Sequence, residues 1–287
     1  MKTNQRNFWV LPLLMLAIFL PENIFAQSIS TVPDFRLFEA VKNSDVQKVK
    51  AILEETPATF NKDRINQKGH LGDWPLSIAA RNGNLEIVTL LVEHGATVDI
   101  GKERGERTPL MTASAQGQVA VVTYLISQGA DVNAKASGLT PLLEACKNVS
   151  FLFGPAGDRK KTIYILLDNG ADVNVQDESW LKTGGTPLMY AVMQGDAALV
   201  QALLFKGAKL NLKNKDGETA LSLANKKGLE FISQLLIFIG IKHIYFQIGR
   251  FQSFFYYPAD YLFYDCCFAT CRWPCKYYKL HIFLLFK

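Results

Sequence analysis

Apolar residues in the middle of the chain fall at helical spacing in short, evenly repeated bursts. Ile87, Val88, Leu90 and Leu91 form one burst, and Val121, Val122, Leu125 and Ile126 the next; each set lies on one side of a short helix. Ahead of each burst stands a shorter segment opened by Leu and closed by Gly: Leu76 to Gly83, Leu110 to Gly117, and again Leu188 to Gly195 and Leu221 to Gly228. Glycine ends a helix at such a point because it enters the left-handed conformation without steric cost. The pattern predicts antiparallel pairs of short helices, each burying its apolar face only against the next pair.

The helix starts are equally regular. Trp74-Pro75-Leu76, Thr108-Pro109-Leu110, Thr140-Pro141-Leu142, Thr186-Pro187-Leu188 and Thr219-Ala220-Leu221 succeed one another at 34, 32, 46 and 33 residues. Thr is a good N-cap and Pro is preorganised for the first helical position. Ala79, Ala113, Ala145, Ala191 and Ala224 sit at one fixed point of the ensuing helix, where a small side chain lets neighbouring repeats approach. Each unit closes on a second marker, Gly95-Ala96, Gly129-Ala130-Asp131-Val132-Asn133, Gly170-Ala171-Asp172-Val173-Asn174 or Gly207-Ala208.

A period near 33 with a Thr-Pro-Leu start and a Gly-Ala-Asp-Val-Asn close resembles the ankyrin repeat, here of an exported bacterial type. The resemblance implies an all-α ankyrin-repeat solenoid with short hairpin links, spanning residues 34–240 as six units: 34–68, 69–105, 106–137, 138–183, 184–216 and 217–240. The first lacks Thr-Pro and aligns through Leu37 to Asp45 with Val46, Val49, Ile52 and Leu53, as suits the end of a stack. The last loses the pattern after Leu235 and Leu236, breaking near Ile237. The family's usual His after Thr-Pro-Leu, which braces the turn between repeats, is replaced by Ser77, Met111, Leu143, Met189 and Ser222, implying lower stability for the same fold.

The spacing of 46 residues has two sources. Thr140 and Gly170 are 30 residues apart against 21 for Thr108 and Gly129, and Gly170 and Thr186 are 16 apart against 12 for Gly207 and Thr219. The first insertion, Asn148 to Lys161, joins an apolar tip, Phe151-Leu152-Phe153, to a basic run that includes Arg159. Insertions map to loops on one face, often the binding face, and three large apolar residues suit either partner contact or local core. Hairpin tips form the second candidate surface: Lys102, Glu103 and Arg104 in one, Trp180 and Lys182 in the Asp177-to-Lys182 stretch, and Lys215. Trp and Arg are frequent interface anchors, whereas mixed charge is commonly just a solvated face.

Charge changes the picture by what it excludes. The chain carries +5 overall, but residues 27–236 hold 23 basic and 23 acidic side chains, so a nucleic-acid partner gains no support from a general basic field. His70, His94, His243 and His281 are scattered outside any metal-ligand spacing. Cys146 beside Ala145 reads as a small buried residue, and no nucleophile elbow or phosphate-binding glycine loop occurs. The expected protein is therefore not an enzyme, holds no cofactor and no metal, and binds a protein partner as a monomer through hairpin tips and the concave inner-helix face.

The two ends have their own composition. Lys2 and Arg6 precede an apolar run from Phe8 to Leu20, and a small residue, Ala26, precedes Gln27. This predicts a signal peptide over 1–26, a linker over 27–33 and export to the periplasm or beyond. Residues 237–287 contain 17 of the 33 aromatic residues and four of the five cysteines. For this tail, 241–287, several readings stay open: a disordered segment or out-of-frame product, a cap pinned by disulfides of Cys266, Cys267, Cys271 and Cys275 or a zinc knuckle of the same cysteines, whose spacing matches no familiar zinc module, or a lipid-docking segment that makes the protein membrane-associated with the repeats as spacer.

Overall fold

The computed structural model describes residues 35–55, 64–69, 73–147, 158–179 and 183–247. The chain divides into two compact units, residues 1–233 and 234–287. The first carries paired helices in chain order: α1 (Phe35–Lys42) with α2 (Val46–Glu54), α3 (Pro75–Asn82) with α4 (Leu85–Glu93), α5 (Pro109–Gln116) with α6 (Val119–Ser127), α7 (Pro141–Cys146) with α8 (Arg159–Asp168), α9 (Pro187–Gln194) with α10 (Ala197–Phe205), and α11 (Ala220–Lys226), then the start of α12 (Glu230–Gln247). Among the described residues there is no strand, only one isolated bridge between Ala136 and Leu139. No described helix is long and apolar enough to cross a membrane.

Each recurring residue has a mechanical task. The hydroxyls of Thr108, Thr140, Thr186 and Thr219 accept from the backbone N–H three residues on, at 3.3–3.4 Å, satisfying a donor that the first turn leaves orphaned. Gly83, Gly117, Gly195 and Gly228 are left-handed, with φ between 67° and 75°, and let the next N–H return to the recurring alanine: Gln118 N donates to Ala113 O at 3.0 Å and Asp196 N to Ala191 O at 3.1 Å. The Gly-Ala close does the same for the second helices, Ala130 N donating to Leu125 O and Ala171 N to Leu166 O, both at 3.0 Å.

First helices pack on first helices, from α1 through α11, and second helices on second helices from α2 through α8. The recurring alanines are fully or almost fully buried, as are Leu76, Leu110, Leu142 and Leu188. Each such leucine contributes about 1.5–3 kcal/mol over leaving it in water. Met111, Leu143 and Met189, which occupy the place of the usual histidine, are buried as well, so apolar packing fills the position of a polar brace.

The asparagines closing the first, third and fourth repeats tie hairpin to hairpin, and Asp99 accepts from Asp131 N where the second meets the third. Asn133 donates through Nδ2 to Gly170 O (3.0 Å) and accepts at Oδ1 from Asp172 N (2.8 Å). Asn174 repeats this with Gly207 O and Lys209 N, and Asn66 with Gly95 O and Thr97 N. Two neutral hydrogen bonds at each asparagine junction satisfy loop backbone that the helices cannot.

The last helix departs from expectation. The repeat pattern breaks near Ile237, yet α12 continues to Gln247. Gly240 stands where Gly95, Gly129, Gly170 and Gly207 are left-handed, but it is helical. Its successor is Ile241 rather than the alanine that elsewhere returns its N–H to the helix, so nothing turns the chain. Within the second compact unit, Leu235 and Leu236 of this helix are buried. The signal peptide and linker (1–33) and the tail from residue 248 lie outside the described residues, as do Phe151, Leu152, Phe153, Trp180 and Lys182.

Candidate functional site

The fourth repeat is where the grammar changes. Its first helix, α7, has six residues and ends at Lys147 in extended backbone (φ −73°, ψ 105°) instead of at a left-handed glycine. The residues read as a basic loop run are in fact helix: Asp158 caps α8 by accepting from Lys161 N at 2.9 Å, and Arg159 opens that helix. An acceptor side chain at Asp158 starts the helix before the run's basic residues are spent. Arg159 is half-buried, and its Nε donates to Ala115 O of the third repeat at 2.8 Å, which commits it inward.

Lys147 turns toward the long hairpin on its C-terminal side. Its Nζ lies 2.7 Å from Asp177 Oδ2 and 3.4 Å from Ser179 Oγ. Asp177 also accepts from Tyr190 OH (2.6 Å), Thr183 Oγ1 (3.1 Å) and Ser179 N (2.9 Å). Asp177 is fully buried, and Ser179 nearly so. The stretch offered as a candidate hairpin-tip surface is thus anchored at its root, Asp177 and Ser179, while Trp180 and Lys182 lie outside the described residues. Burial opposes the Asp177 charge, but the hydrogen bonds from Lys147, Ser179 and Tyr190 outweigh it and hold the carboxyl well below its ordinary range. Burial, and then the Asp177 carboxylate, push the Tyr190 phenol up, so it acts as a hydrogen-bond donor.

A second buried carboxylate, Glu144, faces the Arg107 guanidinium, whose Nε donates to it at 2.6 Å. Neither cluster was anticipated from the sequence, yet a signal existed. Glu144 and Tyr190 fall at one register position, the residue before the recurring alanine, which is Ile78, Thr112 and Leu223 in the other Thr-Pro-type repeats. A lone carboxylate in that series calls for a partner.

The hairpin residues expected at the surface are engaged to different degrees. Lys102 and Arg104 lie on a short 3-10 turn with Glu103, between left-handed Gly101 and Gly105. Lys102 pairs with Asp131 of the next repeat at 2.8 Å; hydrogen bonding to that carboxylate raises the lysine's pKa and lowers the aspartate's. Arg104 stands 5.4 Å from the centre of the Trp74 ring, which Lys68 approaches from 5.0 Å. Glu103 and Lys215 are exposed, Lys215 donating its backbone N–H to Thr183 O at 3.1 Å. Much of the tip's mixed charge thus joins one repeat to the next or to Trp74.

Beside the Asp177 cluster, Lys147, Lys160, Tyr190, Met193, Gln194 and Asp196 line an open groove of about 760 Å³. Lys160 bridges to Asp196 at 2.7 Å, Gln194 Nε2 donates to Cys146 O at 2.6 Å, and Met193 is 47% exposed. Met193 occupies the position held by Arg81, Ala115, Lys147 and Lys226 in the other repeats, an apolar contact point in a series otherwise basic or small. Cys146, behind the groove, is fully enclosed, and burial pushes its thiol up to about 12, which leaves it protonated and inert. Among the described residues no group of three or more His, Cys, Asp or Glu side chains gathers to hold a metal.

Comparison with known proteins defines the class. A family model described as ankyrin repeats matches three overlapping stretches, 37–136, 98–177 and 155–244. The chain belongs to the ankyrin-repeat family. It is similar to a crystallised ankyrin repeat domain from Acinetobacter baumannii AYE, with a TM-score of 0.59 and 28% identity, over 72% of this chain and 98% of that one. It is also 39% identical over 168 residues to palmitoyltransferase ZDHHC13 of Mus musculus, covering 58% of this chain and 25% of that protein. A third relative, the putative ankyrin repeat protein YahD of Escherichia coli K12, is 40% identical over 74 residues, 24% of this chain and 36% of that protein. The chain therefore spans a quarter to about a third of these two relatives, and the palmitoyltransferase is matched through its ankyrin region alone. Ankyrin repeats generally mediate protein–protein interaction, and the fold is generally a non-catalytic module.

Proposed function

We propose that this chain is an exported, non-catalytic binding module whose protein partner docks on the first-helix face of the fourth and fifth repeats, with the hairpin edge as a flanking contact. The observation that carries the reading is the coincidence of two departures from the repeat at one place. The fourth repeat is lengthened between its helices and again in its closing hairpin, and the roots of both enlargements, Lys147 on one side and Asp177, Ser179 and Thr183 on the other, are bonded together beside a groove with an exposed Met193. A side chain as adaptable as methionine, half exposed among polar neighbours, suits contact with a partner's apolar residue. Export is supported by the basic start, the Phe8-to-Leu20 apolar run and Ala26.

The test is capture of partners from the cell envelope with the chain lacking residues 1–26. A defined protein retained by the parent and lost with Met193→Asp supports the reading, whereas retention unchanged by Met193→Asp and lost with Arg104→Glu moves the site to the hairpin edge. Mature protein starting near Gln27 and recovered outside the cytoplasm supports export. An intact Met1 terminus on cytoplasmic protein overturns it.

A further inference from the structure

The neutral charge count of the repeats hides an uneven arrangement of charge. Around the groove and on the first helices beside it, ion pairs bury the carboxylate and leave the cation outside. The side chains of Lys160 and Asp196 are 66% and 12% exposed, those of Arg107 and Glu144 47% and 2%, and those of Lys226 and Glu218 72% and 23%. Elsewhere the pairs are even, as for Lys68 with Glu106 and Lys102 with Asp131, or reversed, as for Lys206 with the more exposed Asp168. Lys227 adds a cation whose Nζ donates to the neutral carbonyl of Met193 at 3.0 Å, so its charge is not offset there. A carboxylate sunk behind its lysine attracts an approaching ligand's cations less than the lysine attracts its anions, because the Coulomb interaction weakens with distance and the lysine is nearer.

From this asymmetry we propose that the groove beside Met193 recognises an acidic peptide segment carrying one large apolar residue. The apolar side chain rests on Met193 and the Tyr190 ring edge, while the segment's carboxylates meet Lys160 on one side and Lys227 on the other. Lys147 stays with Asp177 and fixes the floor. A nucleic acid fits less well: the cations are few and already half-neutralised, and the surface between them is a thioether. This inference rests on the protein-binding reading and names the chemistry of the partner.

The experiment selects binders to the folded chain from a displayed library of random dodecapeptides, then measures the recovered peptides in solution. Enriched sequences are expected to place Asp and Glu around a single Phe, Leu, Ile or Trp. Lys160→Gln and Lys227→Gln are each expected to weaken binding by about tenfold, and raised salt to weaken it further. Phe205→Ala, at an 89% exposed residue at the end of α10, leaves it unchanged. Circular dichroism melts confirm that the variants fold. Enrichment of neutral or basic peptides overturns the proposal, as does acidic-peptide binding indifferent to both lysine changes or displaced equally well by an oligonucleotide. Peptides that bind but map to Arg104 leave the protein-binding reading intact while sinking this one. A selection that enriches nothing, with no protein captured from the envelope, sinks both.

Discussion

The second and third repeats and the fourth and fifth repeats have the same helices but are held by different means. In the earlier pair the junction is apolar packing plus a half-buried carboxylate, Asp99, that accepts from Asp131 N, and the ion pair of Lys102 with Asp131 sits at the surface. In the later pair a buried carboxylate, Asp177, bonded to four residues, joins α7, the long hairpin and α9. An added loop length costs little entropy. Here a buried ionic cluster ties the roots of the two enlargements together.

Breaking that cluster is the largest expected effect. Asp177→Ala leaves the nearly buried Lys147 ammonium without its partner and should lower unfolding free energy by about 3–5 kcal/mol, measured by urea denaturation. The sign with pH is fixed by the low folded-state pKa. The Asp177 contribution is fully present above its ordinary value of 3.8 and is lost as pH falls below that toward the depressed folded value. The gap between parent and variant should therefore be flat from neutral pH to about 5 and narrow only in stronger acid. A gap that closes near neutrality would mean that another group carries the effect.

Asn133→Ala tests attachment by neutral hydrogen bonds, here between the third and fourth repeats. It removes two hydrogen bonds, to Gly170 O and from Asp172 N, and should cost about 1–2 kcal/mol, with hydrogen exchange rising at Asp172. An effect as large as that of Asp177→Ala would erase the distinction between neutral and ionic attachment. The smallest effect belongs to Lys102→Gln. Its pair is at the surface, so the unfolding midpoint should stay within error of the parent at any salt concentration. A clear destabilisation would make the hairpin charges structural rather than free to serve contact.

The repeat was legible in the sequence because its determinants are local. Thr108 caps the helix that begins beside it, Gly117 ends that helix by its own backbone freedom, and Ala113 is small wherever it sits, so each can be read without knowing its neighbours in space. The same locality exposed both enlargements of the fourth repeat as extra residues between markers. The boundaries were less secure: Asp158 to Lys161 read as loop because their charges resemble a solvated run, although Asp158 is a helix cap.

The primary structure thus determined the period, the helix starts and ends, the small-residue seam and the place where the solenoid becomes irregular, all of which depend on residues within one turn of each other. Tertiary structure alone decided where the charges point. Asp177 and Lys147 are 30 residues apart, as distant in sequence as neighbouring repeats, and nothing local distinguishes a buried aspartate from an exposed one. Only the stacking of α7 against α9 brings Lys147 and Tyr190 to the same carboxylate. The same stacking sinks Glu144 and Asp196 beneath their cations, which their places in the sequence do not show.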